Sequence, residues 1–125
     1  MDPRPALAIG HVSLRVSDVE RAAAFYETLG LRPVMKSPGL AICELRGGTH
    51  LMLFRARGTP RKGPVRSFDF MVDDVEAFRA RLAAAGLAPA DLRDDARGGH
   101  RYFEVSDPDG HALTVFSSHT SGRPV

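Results

Sequence analysis

The chain has 125 residues, the length of one ordinary domain, of which 43% are hydrophobic and 26% charged. No apolar run reaches membrane-spanning length and the first residues lack a signal peptide's apolar stretch, so we expect a cytoplasmic protein with no membrane partner. Cys43 is the only cysteine, which excludes an internal disulfide. The net charge is only +2, and the basic segment 55–66 has no interleaved aromatic residues, so we expect no nucleic-acid partner.

The first half of the chain reads as one strand, one helix and three further strands. Apolar and polar residues alternate over 9–16, which predicts a strand with His11, Ser13 and Arg15 on its polar side. Ser17 is predicted as the helix N-cap, with Glu20 completing a capping box. The helix is expected to end at Gly30, and strands are predicted at 32–36, 40–45 and 49–54. The apolar positions of this helix are Val19, Ala22, Ala23, Phe25, Tyr26 and Leu29.

The second half repeats this order. A strand at 67–72 leads into a helix opened by Asp73 and Glu76, with an apolar face of Val75, Phe78, Leu82 and Ala85. A polar loop is predicted over 91–100, followed by strands at 102–106 and 112–117 around an Asp-Pro-Asp-Gly turn. His111, after this turn, is expected at the surface. His100 and His119 are expected to be solvated.

The two halves match at an offset of 56 residues, with identities that include Val16/Val72, Asp18/Asp74 and Gly30/Gly86. The repeat predicts an α+β fold: two βαβββ modules forming a curved mixed β-sheet around a cleft, with the helices outside. We expect a single domain, 1–125. Its modules are placed at about 8–56 and 65–118, with a linker at 57–64 and a loose tail at 119–125.

Several motifs resemble one family. A strand reading His-Val-Ser-Leu-x-Val, a helix reading Asp-Val-Glu-x-Ala-x-x-Phe-Tyr and a late Asp-Pro-Asp-Gly-His turn are similar to the vicinal oxygen chelate superfamily. That superfamily includes glyoxalase I, extradiol dioxygenases, fosfomycin-resistance thiol transferases and bleomycin-resistance proteins. The resemblance covers about residues 8–118. It implies the fold and leaves the reaction open, because this fold hosts many chemistries.

Strand parity selects the residues that face the predicted cleft. The apolar partners of each strand pack under the helices, which leaves the alternate residues to face a ligand. Met52 and Met71 are expected to give the cleft apolar walls, whereas Phe54 and Phe116, on the same faces, are expected to be ordinary core residues. The predicted ligand-binding residues are His11, Ser13, Arg15, His50, Met52, Ser67, Asp69 and Thr114.

The resemblance implies four metal-ligand positions, which fall on His11, Met52, Ser67 and Thr114. Only His11 is a good ligand for a divalent ion, so the usual metal site and its cofactor are predicted to be absent. The alternative is a displaced site of His11, His50 and Asp69 that binds Fe, Mn, Ni or Zn. A third interpretation is that His50 hydrogen-bonds locally while Asp69 pairs with Arg15.

These residues are compatible with two functions. The first is a small-molecule-binding protein that sequesters a small, partly aromatic ligand in the cleft between the modules without the usual metal. The alternative is a lyase, isomerase or dioxygenase-like enzyme, metal-dependent or metal-free, acting on a small oxygenated substrate with His11 as base or ligand. Members of the superfamily generally dimerise, which implies a homodimer here.

Overall fold

The computed structural model describes residues 2–120 and 122–125. The chain divides into two compact units. One runs to Pro60 and also takes in the last residues from Thr120, and the other is Arg61–His119. Within the described residues, each unit contains one α-helix and one mixed sheet, and the first unit also has a short 3-10 turn at Arg46–Gly48.

The first unit contains strand β1 (His11–Val16), helix α1 (Val19–Leu29) and strands β2 (Arg32–Lys36), β3 (Leu40–Glu44) and β4 (His50–Arg55). Their order in the sheet is β1-β4-β3-β2. Strand β1 runs parallel to β4, whereas β2, β3 and β4 are antiparallel to their neighbours. The predicted strands of this half are all present, with ends that differ by one or two residues.

Helix α1 begins one residue later than predicted. Asp18, not Ser17, is the N-cap, and its carboxylate accepts a hydrogen bond of 3.0 Å from the N–H of Arg21. Asp18 is as good a cap as serine, so the sequence alone offered two adjacent starts. The helix ends at Gly30 as predicted, where a φ of 129° requires glycine.

One face of α1 packs on one face of its sheet. All six predicted apolar positions of the helix are buried, and Tyr26 is completely inaccessible. Alternate residues of the strands form the other side of this core. They are Leu14, Val16, Ala41, Cys43, Leu51 and Leu53.

Cys43 lies in this core with 1% of its surface exposed. Burial, with a smaller contribution from the Glu27 carboxylate, raises the pKa of its thiol. Because only the thiolate reacts with disulfide reagents, we expect Ellman's reagent to modify the folded chain at least about tenfold more slowly than the unfolded chain. Equal rates with and without urea would contradict this packing.

The second unit contains β5 (Gly63–Pro64), β6 (Phe70–Val72), helix α2 (Val75–Ala84), β7 (Arg93–Asp95), β8 (His100–Ser106) and β9 (His111–Ser117). Its sheet has the order β5-β9-β8-β7, and β6 also pairs with β9. The pairing of β6, β7, β8 and β9 repeats that of β1, β2, β3 and β4. The α+β class and the two βαβββ modules predicted from the sequence repeat are therefore confirmed.

Four predictions for this half were wrong in detail. The strand expected over 67–72 covers only Phe70–Val72. It is shorter because β6 pairs with only the last part of β9. The earlier part of β9 pairs with β5, which lies inside the segment predicted as a linker. The predicted polar loop contains β7, an edge strand. All its residues are polar, so it shows no alternation of apolar and polar residues. The cap of α2 is Asp74, not Asp73, and its carboxylate accepts from the N–H of Ala77.

The core of the second unit lies between α2 and one face of its sheet. Val75 and Leu82 are the buried residues of α2, while Ala85 of the predicted apolar face is exposed. The buried strand residues are Phe103, Val105, Leu113 and Val115. Among residues 2–120 and 122–125, neither helix is long and apolar enough to cross a membrane.

Candidate functional site

The first sheet has an open face, the side opposite α1. On this face the pairing of β1, β4, β3 and β2 aligns side chains in three rows across the strands. Five of the eight predicted ligand-binding residues, His50 among them, lie on this face because β1 pairs with β4 in register. The rows are Arg32, Glu44, His50 and His11; Met35, Ile42, Met52 and Ser13; and Leu40, Phe54 and Arg15.

The first row is polar and connected. Arg32 forms an ion pair with Glu44, whose other carboxylate oxygen lies 3.1 Å from Nε2 of His50. The rings of His50 and His11 are 5.9 Å apart, with an interplanar angle of 35°. The side chain of Glu44 is only 19% exposed, so it is held firmly beside His50. The predicted local hydrogen bond of His50 is therefore present.

The third row places a cation over an aromatic ring. The guanidinium carbon of Arg15 lies 5.2 Å from the ring centre of Phe54. Arg15 is exposed and Phe54 half-buried. Such a pair offers an aromatic ligand a ring to stack on and an acidic ligand a fork of donors.

The three predicted ligand-binding residues of the second unit do not all lie on strands. Thr114 lies on β9, half-buried, opposite Glu104 of β8. Ser67 and Asp69 are exposed and precede β6, outside any strand, so the parity argument used to place them does not apply. Met71 follows on β6, where it pairs with Phe116 of β9.

An aromatic cluster in this unit was missed. The rings of His100 and His119 are stacked 3.9 Å apart at 12°. Phe116 lies against both His100 and Tyr102, at 5.2 and 5.4 Å. Nδ1 of His100 is 2.7 Å from the carbonyl of Ser117, and Nε2 of His119 is 2.9 Å from that of Gly99. His100 is half-buried, so the expectation that it is solvated was wrong, whereas His119 is exposed as expected. The wide separation of the two histidines in the sequence hid the stack.

His111 was also placed wrongly, since it is buried. Its Nδ1 donates to a carboxylate oxygen of Asp107 at 2.7 Å. The other oxygen of Asp107 accepts from the N–H groups of Asp109 and His111, both at 2.9 Å. The predicted surface turn is thus tied together by a buried carboxylate.

The four implied metal-ligand positions do not fit a divalent ion. His11 offers an imidazole, but Met52 offers a thioether, and Ser67 and Thr114 offer neutral hydroxyls. Within residues 2–120 and 122–125, no group of three His, Cys, Asp or Glu side chains is arranged to hold a metal ion. The displaced set of His11, His50 and Asp69 spans the two units and stays a prediction.

The first unit also has a surface hollow of about 520 Å³ at the start of α1. Asp18, Lys36 and Arg55 are among its lining residues. None of the predicted ligand-binding residues lines it. It therefore provides a comparison site for the open face.

Two repeated βαβββ units with mixed sheets define the class of protein. The family model of the Glyoxalase/Bleomycin resistance protein/Dioxygenase superfamily matches residues 8–115. The chain belongs to this superfamily, as the motifs suggested. A comparison with curated proteins gave no match.

Solved structures with this fold differ in function. A lactoylglutathione lyase from Agrobacterium tumefaciens is 25% identical, with a TM-score of 0.75 over 95% of this chain and 99% of that one. TnmS3, an antibiotic binding protein from Streptomyces sp. CB03234, is 28% identical, with a TM-score of 0.74 over 91% and 98%. The oxidase ChaP-H2 is 21% identical, with a TM-score of 0.71 over 91% and 95%, which shows the fold alone.

Proposed function

We propose that this chain is a small-molecule-binding protein of the glyoxalase/bleomycin-resistance type that holds a small, partly aromatic ligand without the usual divalent metal. The observation that carries the proposal is the open face, where the Arg15–Phe54 pair adjoins the apolar row of Met52 and Ile42. Aromatic and flexible apolar side chains with a few polar groups are typical of ligand sites. The likeness to an antibiotic binding protein agrees with it.

The donor chemistry favours binding over metal catalysis. A thioether and two hydroxyls at three of the four implied ligand positions give an ion no ionised oxygen. His11, Ser13, Arg15, His50 and Met52 are proposed as ligand contacts. Ser67, Asp69 and Thr114 stay predicted ligand contacts. The single two-module domain, the homodimer, the cytoplasmic location and the lack of a nucleic-acid partner also stay predictions.

The proposal is tested by titrating the protein with 6-methoxy-2-naphthoic acid, a fluorescent acid with two fused rings. We expect Arg15→Gln to weaken binding by about 10- to 100-fold, because hydrogen bonds to charged groups contribute about 1.5 to 3 kcal/mol. Arg57→Gln removes an exposed arginine of the same unit and is the matched control.

Three results would contradict the proposal. These are no binding of the naphthoate, equal losses in Arg15→Gln and Arg57→Gln, or stoichiometric Fe, Mn, Ni or Zn in protein purified without a metal-binding tag. Unchanged thermal unfolding of Arg15→Gln confirms that the loss reflects the site, since Arg15 is exposed.

A further inference from the structure

Glu44 contacts only one of the two ring nitrogens of His50. Its carboxylate faces Nε2 at 3.1 Å and is itself held by Arg32 on the neighbouring strand. Within residues 2–120 and 122–125, Nδ1 of His50 receives no hydrogen bond, although the side chain is only 32% exposed. One ring nitrogen is thus satisfied by the protein and the other is left for something else.

The partner determines which nitrogen carries the proton. An ionised carboxylate only accepts hydrogen bonds, so Nε2 must be the donor. In the neutral imidazole the second nitrogen then has a lone pair and no hydrogen. Nδ1 is therefore an acceptor, and it suits a ligand that brings an O–H or N–H group.

We propose, on the basis of the proposed function, that Glu44 is a positioning residue that makes the open face selective for hydroxylated aromatic acids. The ligand hydroxyl donates to Nδ1 of His50, its rings lie on Met52 and Phe54, and its acidic oxygens meet Arg15. Glu44 itself does not touch the ligand; it acts through the tautomer of His50.

The spacing of the rows supports this ligand class. His50 and Phe54 are four residues apart on β4, so the first and third rows are separated by about 13 Å. Two fused rings with a hydroxyl at one end and a carboxylate at the other, plus a hydrogen bond of about 2.8 Å at each end, match this span.

The tautomer can be measured directly. Long-range ¹⁵N–¹H NMR distinguishes a protonated from a bare ring nitrogen, and the signals of His50 are assigned by their loss in His50→Gln. We expect the proton on Nε2 in the native chain. In Glu44→Gln we expect a mixture of tautomers, because an amide can either accept from Nε2 or donate to it. A proton on Nδ1 of the neutral ring in the native chain would overturn the proposal.

Selectivity is measured with two probes that differ in one group. 6-Hydroxy-2-naphthoic acid has the donor, whereas 6-methoxy-2-naphthoic acid keeps the rings and the carboxylate. We expect the native chain to bind the hydroxyl compound about tenfold more tightly. Glu44→Gln, with the two tautomers about equally populated, should lower this ratio to about fivefold while leaving the affinity for the methoxy compound unchanged.

Glu27→Gln is the matched control. Glu27 is also a partly exposed glutamate paired with a cation of β2, Lys36 at 2.6 Å, but it lies on α1, away from the open face. It should keep the tenfold ratio. Equal ratios in Glu44→Gln and the native chain, or equal affinities of the native chain for both probes, would overturn the inference while the proposed function stands. If neither probe binds, both fail.

Discussion

Replacing Asp107 with alanine is expected to destabilise the protein by about 3 to 5 kcal/mol, because each buried donor that loses its acceptor costs about 1 to 3 kcal/mol. The carboxylate is completely inaccessible and accepts from the imidazole of His111 and from two backbone N–H groups. Alanine leaves all three donors without an acceptor inside the turn between β8 and β9.

Urea unfolding followed by circular dichroism measures this loss. Asp91→Ala is the control, because Asp91 is fully exposed and its ion pair with Arg79 is 3.6 Å long. Surface pairs of this kind contribute about 0 to 1 kcal/mol. Equal unfolding midpoints for the two variants would show that the turn does not depend on the buried carboxylate.

Leu53→Ala is the second substitution with a large expected effect, about 2 to 5 kcal/mol. Leu53 lies on the side of β4 that faces α1 and is completely buried, so its loss removes packing and leaves a cavity. Its neighbours on β4, Met52 and Phe54, face the other way onto the open face. We therefore expect naphthoate binding to weaken together with stability.

Leu7→Ala makes the same chemical change at a position that is 90% exposed. Its free energy of unfolding should stay within about 0.5 kcal/mol of the native value. A loss for Leu53→Ala as small as that for Leu7→Ala, measured by urea unfolding, would contradict the packing of α1 on this sheet.

The repeat made the fold predictable, because two copies of one pattern constrain each other. The helix starts were shifted by one residue because Ser17 and Asp18 can both cap α1 and only the backbone geometry decides between them. Strands β5 and β7 escaped prediction for another reason. Both are short edge elements without an alternating apolar pattern, and they form because β9 and β8 offer unpaired edges.

The alternation of side chains along a strand correctly predicted which residues share a face in the first unit, but it did not do so in the second. His11, Ser13 and Arg15 share a face with His50 and Met52 because both strands are regular and in register.

Parity could not place Ser67 and Asp69, since the chain before β6 is not a strand. Glu44 was overlooked although it lies on the same face of β3 as Leu40 and Ile42. Its importance depends on a cross-strand contact with His50 that no local pattern reveals.

Amide NMR in metal-free buffer tests most directly where the ligand binds. The ¹⁵N-labelled native chain is titrated with 6-hydroxy-2-naphthoic acid. We predict that the largest shift changes fall on residues of the open face, around Arg15, His50 and Phe54. Changes centred instead on the hollow at the start of α1, around Asp18 and Lys36, would contradict a ligand site on the open face.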